Sequence, residues 1–361
     1  MNRAHKTRIY PNREQAAILL QQVGGARFAY NWALERWNKW YDEKNAGLRS
    51  DSPNWMKLSK LWTAERPEWA KSITRTAVTY EIKGVSVSYT NHYRLGFGKP
   101  KFKKRGKCKD AFHLAGDKCF VRSDLRHIRI PMIRDDIRMA EKLRLKGKIL
   151  SFTVSTTAGR WYVSVQMSVA DTRTASASVA GVDVGMKSPA VCSDSTELTL
   201  PVEKLSRLDR RIRRGQRRWS RTKKNSHRRA KALLRLQRIR EKRNNIRRDA
   251  IHKFTSAVCK NHATVVVEDL KVRGLTKCPK HIRACMSNSC MNLVLRQIRY
   301  KAINLVVADK WYPSTQLCHV CGHRHKMGLD ERVYNCPSCG LSMDRDLNAA
   351  INLSKYPGSQ G

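Results

Sequence analysis

The chain is 361 residues long and 41% apolar, which supplies cores for roughly two to three folded domains and excludes a disordered tail. Its 73 Lys and Arg against 29 Asp and Glu give a formal charge of +44, so the folded surface needs a polyanion to neutralise it, and nucleic acid in quantity is the natural partner. An anionic membrane surface would also attract such charge, but no run approaches the roughly 18 apolar residues of a spanning helix, and Met1-Asn2-Arg3-Ala4-His5-Lys6 lacks the apolar core of a signal peptide; an intracellular protein is expected.

In chain order, Thr7-Arg8-Ile9-Tyr10 reads as a short strand and Pro11-Asn12 as a turn. A helix follows with Gln15, Ala16, Leu19, Leu20 and Val23 at helical spacing. A second helix is expected from Gly24-Gly25 through Trp32, Trp37, Trp40 and Tyr41; its aromatics suit either base stacking or, more simply, a helical core stripe. Residues 51 to 95 read as helical, with Trp55, Leu58, Leu61, Trp62, Trp69, Ile73, Val78, Tyr80 and Ile82 facing a core. Gly96 to Lys107 then breaks the pattern with Gly, Pro and charge; this basic loop, carrying Phe97 and Phe102, is either a phosphate-backbone contact or a solvated linker. From Phe112 to Ala170 the apolar period becomes two, as in Ile149 to Ser155 and Trp161 to Met167, with a hairpin turn at Gly159-Arg160. Helices bracketed by strands suggest a small barrel with a helical insertion, and the small, polar stretch Asp171 to Ser178 reads as a linker.

The second half opens with Val179-Ala180-Gly181-Val182-Asp183-Val184-Gly185, an apolar strand interrupted by one carboxylate, with Ala190 to Ser193 as the returning strand. A buried Asp among valines is costly unless paired or metal-bound. Residues 204 to 248 hold 21 Lys or Arg in 45 positions, with Leu205, Leu208, Ile212 and Trp219, then Leu233, Leu236 and Ile239, at helical spacing. Two helices with cationic outer faces follow, and their lack of acidic partners favours phosphate binding over a merely solvated face. Thr264 to Leu270 is a β-branched run ending at Glu268-Asp269, the pattern of a strand buried on both faces. Met343 to Leu353 reads as a helix entered through acids, where Asp346 taken alone suits an ordinary cap. Asp183, Glu268 and Asp346 together could supply the converging carboxylates that two-metal phosphodiester cleavage requires.

Four of the eleven cysteines form Cys318-His319-Val320-Cys321 and, fourteen residues later, Cys336-Pro337-Ser338-Cys339. This spacing suits tetrahedral Zn²⁺ held by four thiolates in a closed structural site. His319, His323 and His325 lie nearby, but four cysteines complete the shell. Cys108, Cys119, Cys192, Cys259, Cys278, Cys285 and Cys290 read as ordinary thiols.

Gly181-Val182-Asp183-Val184-Gly185, Val266-Val267-Glu268-Asp269-Leu270 and Asp344-Arg345-Asp346-Leu347-Asn348-Ala349-Ala350 resemble the three acidic motifs of the RuvC-type nuclease domain in TnpB (OrfB) proteins, which are carried by insertion sequences and related to type V CRISPR effectors. A zinc ribbon between the second and third motifs is also similar to that family. Further landmarks occur in order: Arg8-Ile9-Tyr10-Pro11, Gly25 to Asn31, Pro100-Lys101-Phe102-Lys103, Ile130-Pro131, Tyr300-Lys301-Ala302 and Tyr312-Pro313-Ser314. Thr315-Gln316, where Ser-Lys is more usual, is a small departure.

The resemblance implies a multi-domain α/β protein. Residues 1–176 would form a β-barrel-like wedge domain with a helical recognition insertion at about 15–110, binding guide RNA and the target flank. Residues 177–361 would form an RNase H-like (RuvC) nuclease domain that includes the basic helical connector 204–255 and the zinc ribbon 312–342. Asp183, Glu268 and Asp346 carry over as catalytic ligands of Mg²⁺ (or Mn²⁺), and Cys318, Cys321, Cys336 and Cys339 as ligands of structural Zn²⁺. Arg210, Arg211, Arg213, Arg214, Arg217 and Arg218, with Lys101, Lys103 and Lys104, are the expected nucleic-acid contacts. The implied activity is RNA-guided cleavage of DNA beside a short flanking motif, with one protein copy per guide RNA from the transposon end, in the cytoplasm and on the nucleoid when bound to DNA. The alternatives are a non-cutting RNA-guided repressor, a strand-joining transposase and a CRISPR-associated effector.

Overall fold

The computed structural model describes residues 1–117, 119–171, 173, 176–185, 188–270, 290–328 and 331–359. Cys278 and Cys285 lie outside the described residues. The chain divides into two compact units, Met1–Asp171 and Thr172–Gly361.

In the first unit, seven antiparallel strands form one sheet: β1 (Asn2–Tyr10), β2 (Asp110–Ala115), β3 (Phe120–Val121), β4 (His127–Arg129), β5 (Ile137–Met139), β6 (Lys148–Thr157) and β7 (Arg160–Ser168), in the order β2-β6-β7-β1-β5-β4-β3. The expected barrel is here an open ladder, since no pairing among the described residues joins β2 to β3. β1 is longer than its apolar end announces, because its polar start pairs with β7 from Asn2↔Ser168 onward. The β6–β7 turn falls on Ala158-Gly159, one residue before the expected position, with both residues at positive φ as a two-residue hairpin requires. Alternate residues fill the core: Phe112 and Leu114, Phe152 and Val154, Val163 and Val165, Ile137 and Met139. Full burial of each large apolar side chain contributes roughly 1.5–3 kcal/mol.

Inserted between β1 and β2 are α1 (Arg13–Asn45), α2 (Trp55–Glu65) and α3 (Arg75–Leu95), with one 3₁₀ turn at Glu68–Ser72. Asn12 and Gln15 close a reciprocal capping box at the start of α1. The two helices read from the first 45 residues are one. Gly25 does not break it but admits Ile73, whose Cγ1 would lie 2.4 Å from an added Cβ. Tyr30, Trp37, Trp40, Leu58, Trp62, Ile73, Val78 and Ile82 are buried together, so the core-stripe reading of the aromatics holds for Tyr30, Trp37 and Trp40. Leu61, Trp69 and Tyr80, expected inside, are exposed at 37%, 49% and 53%. Trp69 meets Phe28 edge-on and Tyr80 stacks on His113, so both rings are partnered at the surface without entering the core.

In the second unit, β8 (Ser176–Asp183), β9 (Val191–Cys192), β10 (His262–Glu268) and β11 (Asn304–Ala308) form a mixed sheet in the order β11-β10-β8-β9. β10 is parallel to both β8 and β11, while β9 returns antiparallel to β8. β8 begins inside the stretch read as a linker, at Ser176. The basic connector is a pair of helices, α4 (Val202–Ser220) and α5 (His227–Asn261), and α6 (Met291–Lys301) follows. Val265 and Val267 face Ile251, Phe254 and Val258 of α5 and Val294 and Ile298 of α6. Val266 faces the other way, toward Leu353 of the last helix, α7 (Arg345–Ser354). Burial on both faces explains the unbroken β-branched run. β12 (Val333–Asn335) and β13 (Ser342–Asp344) pair as a small hairpin. No helix among the described residues is long and apolar enough to cross a membrane.

Candidate active site and cysteine cluster

The pairing of β8 with β10 sets two of the three acids side by side. Val267 is in register with Val182, so the next residues, Asp183 and Glu268, leave the same edge of the sheet together. α7 brings the third. It lies across β8 at Gly181, where an added Cβ would meet the Ala350 carbonyl oxygen at 2.0 Å and the Ser354 nitrogen at 2.5 Å, so only glycine allows this approach. The helix cap is Asp344 and not Asp346: Asp344 Oδ1 accepts from the Leu347 N–H at 3.0 Å. Asp346 sits inside the first turn, 7% exposed, and its Oδ2 would be 3.9 Å from a Cβ on Gly185, just after Asp183.

Asp183 is 8% exposed. Burial, then the charges of Glu268 and Asp346, push its carboxyl up to about 8. Glu268 and Asp346 thus act on one desolvated carboxyl, Asp183, and the three acids together are a hard oxygen set of the kind that fits Mg²⁺ or Mn²⁺. Arg332 and Arg345 approach Asp346 at 3.9 and 3.8 Å, beyond hydrogen-bond distance.

Cys318, Cys321, Cys336 and Cys339 come together with all four sulfurs within 4.8 Å. The 318–339 and 321–336 sulfur pairs are each 3.6 Å apart, against about 3.8 Å for the edge of a tetrahedron with Zn–S bonds of 2.3 Å. The two knuckles repeat one backbone pattern: Gly322 donates to Cys318 O at 2.9 Å and Gly340 to Cys336 O at 3.0 Å, while Cys318 donates to His323 O and Cys336 to Leu341 O. The thiols titrate together: burial raises Cys336, but the N–H groups of Cys339 and Ser338 and the neighbouring sulfurs lower it, while the neighbouring sulfurs raise Cys339, so the close sulfurs share protons that a metal would displace. His319 is turned away from the cluster: its Nδ1 lies 3.1 Å from Asn348 Oδ1. A second group, Cys192, Asp194 and His262, lies at the amino-terminal end of β10, where His262 Nε2 pairs with Asp194 at 3.0 Å and its Nδ1 meets Ser178 Oγ at 2.8 Å.

Sequence reasoning assigned no role to three residues that join these parts. Buried Ser314 donates to Glu268 Oε1 at 2.5 Å, buried Asn352 donates to the Ser314 and Leu317 carbonyls at 2.8 and 2.7 Å, and buried Asn348 donates to Leu317 O at 2.7 Å. The signal was two polar residues at i and i+4 on the apolar face of a short helix, a costly arrangement unless both are hydrogen-bonded.

Arg210, Arg211, Arg213, Arg214, Arg217 and Arg218 are all exposed along α4 and form no ion pair among the described residues. Lys101 and Lys104 are exposed in the basic loop. Lys103 departs from the expectation of a phosphate contact. Its ammonium pairs with Glu81 and lies 4.1 Å over the Tyr30 ring, and its backbone exchanges hydrogen bonds with the Asn31 side chain, so it ties the loop to α1 and α3.

The family models described as "Probable transposase", "Cas12f1-like, TNB domain" and "Helix-turn-helix domain" match residues 162–278, 292–353 and 1–46. A protein of Streptomyces pristinaespiralis named "Putative RNA-guided DNA endonuclease" is 32% identical, over 98% of this chain and 89% of its own length. Escherichia coli K12 InsQ, which bears the same description, is 30% identical over 97% and 91%. The Cas12f1 chain in a cryo-EM structure with sgRNA and target DNA superposes with a TM-score of 0.58, at 14% identity, over 95% of this chain and 83% of that one. Fold and site therefore define a multi-domain α/β protein built like Cas12f1, with a buried acidic site and a four-cysteine cluster. The chain belongs to the TnpB (OrfB, IS605) family.

Proposed function

We propose that this protein is a transposon-encoded, RNA-guided DNA endonuclease whose active site is Asp183, Glu268 and Asp346. The observation that carries the reading is the meeting of three acids at one desolvated place, where burial and mutual repulsion push Asp183 up to about 8. Isolated structural carboxylates are not gathered at this cost; a cationic ligand offsets it. The order of the second unit's sheet, with one antiparallel strand beside three parallel ones, supports the RNase H-like (RuvC) assignment.

Bound at these acids, Mg²⁺ or Mn²⁺ would activate the attacking water and stabilise the leaving oxygen. Asp183 and Glu268 present their carboxylates from neighbouring strand ends and Asp346 from the first turn of α7, while Ser314 holds Glu268 in place. Cys318, Cys321, Cys336 and Cys339 hold structural Zn²⁺. The exposed arginines of α4 grip the backbone of a guide–target duplex without reading its sequence, which base pairing supplies. In the first unit, a groove of about 670 Å³ lined by Ser59, Lys60, Arg75, Thr79, Lys83 and His113 offers hydrogen-bonding groups for the target flank. One copy of the chain serves one guide RNA, in the cytoplasm and at the nucleoid.

The test is cleavage of a randomised-flank plasmid library by protein co-expressed with RNA from its own locus, in Mg²⁺, beside an Asp183→Ala control. Guide-dependent cuts that vanish in the control are expected. Guide-dependent binding with no cutting by the parent protein would replace this reading with the repressor, and strand joining would replace it with a transposase.

A further inference from the structure

Glu268 ends the inner strand β10, half-buried, with a long side chain whose rotamer freedom is costly to fix. Its partner is not a mobile surface group. Ser314 is 2% exposed, and its hydroxyl donates to Glu268 Oε1 at 2.5 Å, a short hydrogen bond. The backbone of Ser314 is itself pinned: its N–H donates to Tyr312 O at 2.9 Å and its carbonyl accepts from Asn352 Nδ2 at 2.8 Å. Asn352 donates in addition to Leu317 O, and Asn348 to the same oxygen, one residue before Cys318. Both asparagines stand on α7, the helix that carries Asp346. Tyr312 closes the loop by donating to Asn352 O at 3.0 Å.

We infer that Ser314 is a positioning residue for the metal-binding carboxylate Glu268, and that the Asn348–Asn352 clamp makes the cysteine cluster, α7 and Glu268 one mechanical unit. The inference rests on the acid-site reading proposed above. The hydroxyl occupies one lone pair of Oε1 and fixes the carboxylate plane, leaving Oε2 and the remaining lone pair free for a divalent cation. A ligand held this way loses less freedom on binding, and hydrogen-bond partners of metal ligands typically set affinity or activity by 10–100-fold.

The experiment is Mn²⁺ binding to the full-length, zinc-containing protein by titration calorimetry and electron paramagnetic resonance, with cleavage assayed across a Mg²⁺ series. Ser314→Ala and the near-isosteric Ser314→Cys should each weaken Mn²⁺ binding about 10–100-fold. Ser314→Thr, which keeps the hydroxyl, should stay near the parent, and cleavage by Ser314→Ala should be recovered at high Mg²⁺. Melting temperature of the zinc-containing protein without added Mn²⁺ or Mg²⁺ reports folding separately. Parent-like Mn²⁺ affinity in Ser314→Ala and Ser314→Cys, while Glu268→Gln has lost it, overturns the inference alone. Parent-like affinity in Glu268→Gln overturns the acid-site reading and the inference with it.

Discussion

Replacing Asp183 by Asn should make the protein without Mg²⁺ or Mn²⁺ more stable, and by an amount that depends on pH. The carboxyl sits at about 8 in the folded protein against an ordinary value of 3.8. An acid whose folded pKa is raised binds its proton more tightly when folded, so its contribution falls as pH rises: the penalty begins near 4 and is complete above 8. With those two values the linkage relation gives ceilings of about 2 kcal/mol at pH 5 and about 5 kcal/mol at pH 8, before relaxation or water entry. Asn removes the charge at every pH. Urea denaturation of the zinc-containing protein without added Mg²⁺ or Mn²⁺, at pH 5 and pH 8, reads the difference directly, and the gain in Asp183→Asn should be larger by a few kcal/mol at pH 8. Adding Mn²⁺ at pH 8 should then stabilise the parent more than the variant. An equal gain at both pH values would refute the claim that the three carboxylates share one desolvated place.

Metal analysis should return one zinc per chain, and Cys336→Ser should lose it and unfold more readily, since folding free energy and metal binding are coupled in such clusters; zinc retained at one equivalent would count against the four-thiolate set. Changing Arg211, Arg213, Arg214, Arg217 and Arg218 to Ala should leave the melting temperature nearly unchanged, because all five are exposed, while the log–log salt dependence of nucleic-acid binding becomes shallower by about 0.7–0.9 for each phosphate that is no longer neutralised. An unchanged slope in filter binding would remove α4 from the interface. Lys103→Met should lower stability by about 2–3 kcal/mol in urea because it strands the largely buried Glu81, whereas Lys104→Met should not; equal effects would contradict the tie between the basic loop and the helical insertion.

Legibility followed physical cause. β10 and the acid at its end were readable because a β-branched run buried on both faces has no other stable use, and the cysteine pairs because their spacing matches one coordination geometry. The pairing of β1's polar start could not be read, since the partner strand lies more than 150 residues away. Gly24-Gly25 misled for a related reason: a glycine in a helix signals either a break or a close neighbour, and Ile73, the neighbour, is distant in sequence. At the site, Asp346 taken alone read as an ordinary cap until the backbone placed Asp344 Oδ1 on the Leu347 N–H. Lys103 looked like its neighbours Lys101 and Lys104, and only the fold brings Glu81 beneath it.

The approach of α7 to Gly181 has a consequence for synthesis. Asp183 and Asp346 are roughly 160 residues apart in the sequence, which at ~5–20 residues per second separates their emergence from the ribosome by about ten to thirty seconds. During that interval the first unit is already complete, whereas the proposed acidic site lacks Asp346 throughout and Glu268 for about the first half. On the function proposed above, competence to cut must wait until α7 has been made.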